Sequence, residues 1–170
     1  TLGRMYGPKL DAVIANGRPA TQMPAFAEVL GAEEIAAIGA YLQEPLAETP
    51  VWGEAEILAS RTFRDDYSPA ASPVFDADPM NITIAVEIAD SHISVRDGDK
   101  LEVIARVETP FAVHGGPKFS PDGRLVYVMS RDGWVQKYDL WGLQEMGRIR
   151  AGLNSRNIAM SADGKWLAVA

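Results

Sequence analysis

"SPDGRLVYV", Ser120 to Val128, and "SADGKWLAV", Ser161 to Val169, are one phrase written twice, 41 positions apart. Each copy opens with Ser-x-Asp-Gly and a basic residue. That is tight-turn chemistry, because Asp bonds the backbone two residues on and Gly accepts a positive φ. Each then passes into alternating, strand-forming residues. A fainter echo lies upstream, where Val128 falls on Val86, Asp132 on Asp90 and Val135 on Ile93 at a spacing of 42. A period of about 40–45 with several short strands per unit is the signature of a β-propeller. A single blade cannot bury both of its faces, so blades come as neighbours.

Outward from the repeat, residues 81–170 read as strands and Asp-Gly turns throughout, including "NITIAVEIADSHISVRDGDKLEVIARV". Residues 49–80 carry Pro50, Pro69, Pro73 and Pro79 among acidic residues and read as a linker, with a short helical piece at Glu54–Ser60. Residues 1–48 have helical grammar. Leu10, Val13 and Ile14 lie on one face of a first helix that Asn16-Gly17 stops. A second helix is expected from Ala32 to Gln43, with Glu33 and Glu34 in its first turn and Ile35, Ile38 and Leu42 on one face. The expected organisation is therefore mixed: a helical region at 1–48, a linker at 49–80 and the first blades of a propeller at 81–170. About two blades fall short of the roughly four a ring needs. The chain also begins Thr1-Leu2 and stops within "KWLAVA", so it is expected to be a fragment.

Composition narrows the partners. A net charge of −7 with scattered basic residues argues against nucleic acid, whose phosphates need a basic face. No apolar run approaches the ~18 residues of a membrane-spanning helix, so no membrane insertion is expected. The absence of cysteine removes disulfides, thiolate metal sites and a Cys-x-x-Cys-His haem attachment from this chain.

Few residues carry candidate chemistry. Met23, in the loop "RPATQMPAF", is either core filler or a thioether ligand. His114 precedes Gly115 and Gly116. It reads either as a loop histidine bonded to a blade carbonyl or as a metal ligand, with glycines that let a large flat molecule approach the backbone. Arg131 and Arg156 stand in blade-end loops, either solvated and acid-paired or clamping ligand carboxylates. His92 reads as an exposed hairpin residue. Asp122, Gly123, Asp163 and Gly164 read as turn chemistry alone. No catalytic residue can be named, for the chain has no nucleophile–base pair, phosphate loop or carboxylate–histidine cluster.

The order helix, Asn-Gly, "MPAF", helix resembles the C-terminal half of a class I cytochrome c, in which a Met is the sixth ligand of the haem iron. Across nearly its whole length the chain resembles the cytochrome cd1 family. "LQEPLAETPVWGEAEI" is similar to that family's junction between domains, and "AVH", Ala112 to His114, to the segment that supplies the proximal ligand of haem d1. "SRDGWVQKYDLW" and "AGLNSRNIA" match the strands that follow. The resemblance implies a c domain joined to an eight-bladed propeller in the periplasm of denitrifying bacteria. His114 would then be the proximal haem d1 iron ligand, Gly115 would give the macrocycle room, Arg131 and Arg156 would hold its carboxylates, and Met23 would be the sixth ligand of haem c. That haem's Cys-x-x-Cys-His would have to lie outside this chain. "HGGPKFSPDGR" looks more like the branch that converts dihydro-haem d1 to haem d1 than like the nitrite reductases, which make nitric oxide from nitrite. Implied partners are haem d1 or its precursor and small electron-transfer proteins, with room for a homodimer or a transient complex with nitrite reductase. The fragment alone is expected to be inactive. The non-enzymatic alternative is a WD-type interaction propeller, without a chromophore.

Overall fold

The structure, a computed structural model, describes residues 5–21, 23–110 and 112–170. It divides into two compact units, Thr1–Pro50 and Val51–Ala170. In the first, α1 spans Pro8–Asn16 and α2 spans Ala32–Tyr41. Proline in the first turn suits α1, since its missing N–H costs nothing there, and Gly17 at φ 66° ends it. The Glu34 carboxylate accepts the Gly31 N–H at 2.8 Å at the head of α2. α2 ends at Tyr41, two residues before the expected Gln43. Its last turn tightens there, with the Gln43 N–H bonded to the Ala40 carbonyl at 2.9 Å.

Leu10, Ile14 and Ile35 form the core of this unit, with Met23, Phe26 and Leu30 packed around them. Ile38 and Leu42 do not join it and are 37% and 38% exposed, against the expectation of one shared buried face.

The second unit holds α3 (Glu54–Ala59), β1 (Thr62–Phe63) and a 3-10 turn (Pro79–Asn81) before its main strands. β2 (Ile82–Glu87), β3 (His92–Asp97) and β4 (Val103–Glu108) form one antiparallel blade. β5 (Lys118–Phe119), β6 (Leu125–Met129), β7 (Trp134–Asp139) and β8 (Gln144–Arg150) form the next, and β9 (Ile158–Met160) pairs with β10 (Leu167–Val169) to begin a third. Among the described residues no helix lies beyond Asn81 in this unit.

The two quoted phrases fold alike. Ser120 and Ser161 each direct the hydroxyl at the Asp two residues on, and each accepts an N–H five residues on, at 2.9 and 3.0 Å. Gly123 and Gly164 close the turns at φ 72° and 70°. The second blade packs on both sides. Val126, Tyr138 and Leu140 meet Val95 of the first blade, whereas Met129 and Val135 meet Ile158 of the third. Each such aliphatic side chain taken from water contributes about 1.5–3 kcal/mol.

The stretch 49–80 is not a plain linker. From Val51 it belongs to the second unit. β1 pairs with the outer edge of β8, and the sheet runs β1-β8-β7-β6-β5. The Trp52 indole donates to the Arg150 carbonyl at 3.0 Å, the Tyr67 hydroxyl to the Asp139 carboxylate at 2.9 Å, and the Val74 N–H to the Trp141 carbonyl at 2.9 Å. Residues 52–74 thus strap the whole length of β8. An edge strand is a template for aggregation unless something covers it, and the strap does so.

Candidate functional site

The site lies at one end of the second blade. Val113 bridges Ser130, and Lys118 pairs with Tyr127. Four residues, 114–117, therefore stand opposite two, 128–129, and His-Gly-Gly-Pro swells out of the innermost strand as a bulge. The His114 N–H still holds the Met129 carbonyl at 2.8 Å, so the imidazole starts from a fixed backbone. Gly115 sits at φ 80°. A Cβ there would touch only the Arg156 carbonyl oxygen at 3.8 Å and Met129 Cε at 3.9 Å, so its conformation, rather than crowding, calls for glycine. Beside Gly116 the nearest atom to such a Cβ is the flexible Lys118 Nζ at 3.5 Å.

The structure brings together the loops that carry His114, Gly115, Arg131 and Arg156. The Arg131 N–H donates to the Ala112 carbonyl at 2.9 Å, and the Arg131 carbonyl accepts the Ser155 N–H at 2.9 Å. One residue thus ties the loop before His114 to the loop before Arg156 through its N–H and its carbonyl. The turn that carries Arg131 closes on Gly133, at φ 94°, pressed against Gly152; a methyl at Gly133 would collide with the Gly152 carbonyl.

Two features of the cluster point to a ligand. His114 Nδ1 is buried and has no hydrogen-bond partner among the described residues, at a cost of about 1–3 kcal/mol if it stays so. Among those residues Arg131 and Arg156 make no ion pair, whereas Arg64, Arg106, Arg124 and Arg148 all do. The backbones of Arg131 and Arg156 thus stand beside the His114 bulge, each carrying a cation without an acidic partner among the described residues. These residues fit an anionic macrocycle with a metal at its centre: nitrogen for the metal, bidentate donors for carboxylates, and glycines where a ring would lie. No group of three or more His, Cys, Asp or Glu that could hold a bare metal ion occurs among the described residues.

The remaining candidates belong to other elements. His92 opens β3 in the first blade, with Nδ1 2.7 Å from the Asp90 carbonyl oxygen and the side chain a quarter exposed. Met23 packs in the helical unit, where the Arg18 N–H donates to its carbonyl at 3.0 Å.

At the opposite end of the blade is a network that the sequence reading missed. Asp139 is fully buried and accepts from Arg124 at 2.8 Å, from Tyr67 at 2.9 Å and from the Trp141 N–H at 3.0 Å. Burial pushes its carboxyl up, but these donors prevail and hold it below the usual carboxylate range. Arg124 also stacks on Trp141, 4.7 Å from the ring centroid. The visible signal was Asp97, which ends β3 as Asp139 ends β7 and likewise accepts turn amides.

Antiparallel blades of this pattern, repeated about 41 positions apart, define a β-propeller. Residues 77–170 match the family described as the cytochrome D1 heme domain, and the chain belongs to that family. Over 99% of its length it is 46% identical to the dihydro-heme d1 dehydrogenase of Pseudomonas aeruginosa, of which it covers 34%. A solved structure of dihydro-heme d1 dehydrogenase NirN in complex with DHE superimposes with a TM-score of 0.78 at 46% identity, covering 99% of this chain and 36% of that one. Protein NirF of Pseudomonas aeruginosa is 36% identical over 52% of the chain, which covers 23% of it. The chain thus spans about a third of the dehydrogenase it matches over nearly its whole length.

Proposed function

We propose that the chain is part of a haem-dependent oxidoreductase of the cytochrome cd1 type, and that the whole protein converts dihydro-haem d1 to haem d1. The observation that carries this reading is His114, with its unpartnered Nδ1, on a glycine bulge tied by backbone hydrogen bonds to the loops of Arg131 and Arg156 in a cytochrome D1 heme domain. The 46% identity to a dihydro-heme d1 dehydrogenase favours that branch over nitrite reductase. The bound tetrapyrrole itself supplies the chemistry, two electrons and two protons leaving a propionate side chain as its carbon–carbon single bond becomes double.

The residues of this chain bind and orient. His114 holds the iron from a backbone pinned at Met129. Arg131 and Arg156 take the carboxylates, so that the side chain to be oxidised has one orientation. Gly115 and Gly116 leave the ring a path to the backbone. In the same reading residues 1–48 are the second half of a c domain, residues 81–170 the first blades of a haem d1 propeller, and Met23 the sixth ligand of haem c. The chain offers that haem one thioether and no cysteine to attach it. The protein would work in the periplasm and deliver electrons to small redox carriers.

The test is a titration of the whole apo-protein with dihydro-haem d1 for wild type, His114→Ala and His92→Ala. His114→Ala should lose the axial-ligand spectrum and weaken retention by more than an arginine substitution does, since the ligand bond anchors the whole cofactor. His92→Ala should match wild type. Equal spectra and affinities for wild type and His114→Ala would overturn the assignment.

A further inference from the structure

Arg150 is held through its backbone and its side chain alike. Its N–H donates to Ser60 Oγ at 2.8 Å and its carbonyl accepts the Trp52 indole N–H at 3.0 Å. Its guanidinium carbon lies 4.9 Å from the Trp52 ring centroid, and its Nε donates to the Asp132 carbonyl at 2.8 Å. Asp132 belongs to the turn that carries Arg131. Its carboxylate accepts the Ser130 hydroxyl, which in turn accepts the Trp134 N–H at 3.1 Å. The Ala151 N–H, next to Arg150, donates to the Gly133 carbonyl at 2.8 Å. In the same turn, the Arg131 backbone ties the His114 loop to the Arg156 loop.

We propose that Arg150, seated by Trp52 and Ser60, is a positioning residue: it locks the 130–133 turn and, through the backbone N–H and carbonyl of Arg131, sets the placement of both loops that face the ligand. The proposal rests on the haem reading above for what the loops bind, though not for the lock itself. Arginine suits the task because its planar fork can stack on an indole and donate in the plane at once, which a lysine cannot do. The strap is then more than an edge cover. Its first residues reach, through one side chain, the peptide on which the site is hung. Coupling carried by such a contiguous chain of contacts is typically worth about 2- to 30-fold in affinity.

The experiment compares wild type, Arg150→Ala, Arg150→Lys, Trp52→Phe and Arg64→Ala in the whole protein. It has two readouts: amide hydrogen exchange, and titration with dihydro-haem d1. Arg150→Ala should speed exchange at the Arg131 and Ser155 amides and leave Leu140 and Trp141, at the other blade end, unchanged. It should weaken dihydro-haem d1 binding by about 2- to 30-fold with the axial-ligand spectrum intact, a combination that simple loss of stability would not give. Arg150→Lys should restore little. Trp52→Phe, which keeps the stack and loses the donor, should fall between and carries the test if Arg150→Ala does not fold. Arg64→Ala, which removes only an exposed pair on the same strap, should match wild type. Unchanged exchange at Arg131 and Ser155, or unchanged affinity, overturns the proposal. A wild type that ignores dihydro-haem d1 overturns the haem reading and the ligand half of this one; exchange then still decides whether Arg150 holds the two loops.

Discussion

Single residues at this site are constrained for different reasons, and two adjacent loops separate them. Gly133 has a positive φ and no room, so Gly133→Ala should cost about 3 kcal/mol or more and disturb the Arg131 turn. Gly116 has neither constraint, so Gly116→Ala should change stability by no more than about 0.5 kcal/mol while reducing uptake of a macrocycle that needs the space. Chemical denaturation read beside a dihydro-haem d1 titration checks both. A Gly116→Ala protein that binds as wild type does would show that the glycine lines nothing. The imidazole was legible in the sequence as one of two histidines beside paired glycines. Its buried, unpartnered nitrogen was not, because burial depends on strands at 126–135 folding over it.

Elements were legible where their causes are local. The Ser-x-Asp-Gly turns are set by atoms within five residues, and both fold as their letters imply. α3 likewise appears where a helical piece was expected. β1 escaped notice because two residues carry no periodicity, and its reason for being a strand is β8, more than eighty positions away. The Tyr67–Asp139–Arg124 network escaped for the same cause, with 72 positions between its ends. That network gives the strap a pH dependence. The folded carboxyl of Asp139 sits below its unfolded value of about 3.9, so its contribution is present above that value and is lost as pH falls through the folded one. Asp139→Asn should cost about 3–5 kcal/mol near neutrality, and its gap from wild type should narrow in urea melts taken below about pH 4. A gap that stays constant down to about pH 2 would show that the carboxylate's charge is immaterial.

For the whole molecule, apolar surface stays open between the strap, β8 and the start of the third blade. A cavity of about 280 Å³ there is lined by Phe63, Tyr127, Val135, Met146, Ile149 and Leu167. Phe63 is 71% exposed and Trp166 74%. Patches of this kind mark surfaces that are normally covered. The chain by itself should therefore self-associate, as measured by sedimentation across a concentration series, and Phe63→Glu should reduce it. A monomer with a single sharp melting transition would refute this. The two-unit division itself is only partly visible in composition. The proline-rich stretch looks like a spacer because proline, aspartate and serine do not reveal which edge they will lie against.

The bulge at 114–117 has one more consequence, for how such a site can come and go. Side chains in a strand alternate between faces, so one added residue would turn every later side chain of the inner strand inside out. Here the surplus over the facing strand is two. Parity is kept, and Lys118 and Phe119 face as they would without it. A pair of residues can therefore be gained or lost at this point in a lineage without inverting the strand's faces, which makes the bulge a separable insert in the blade.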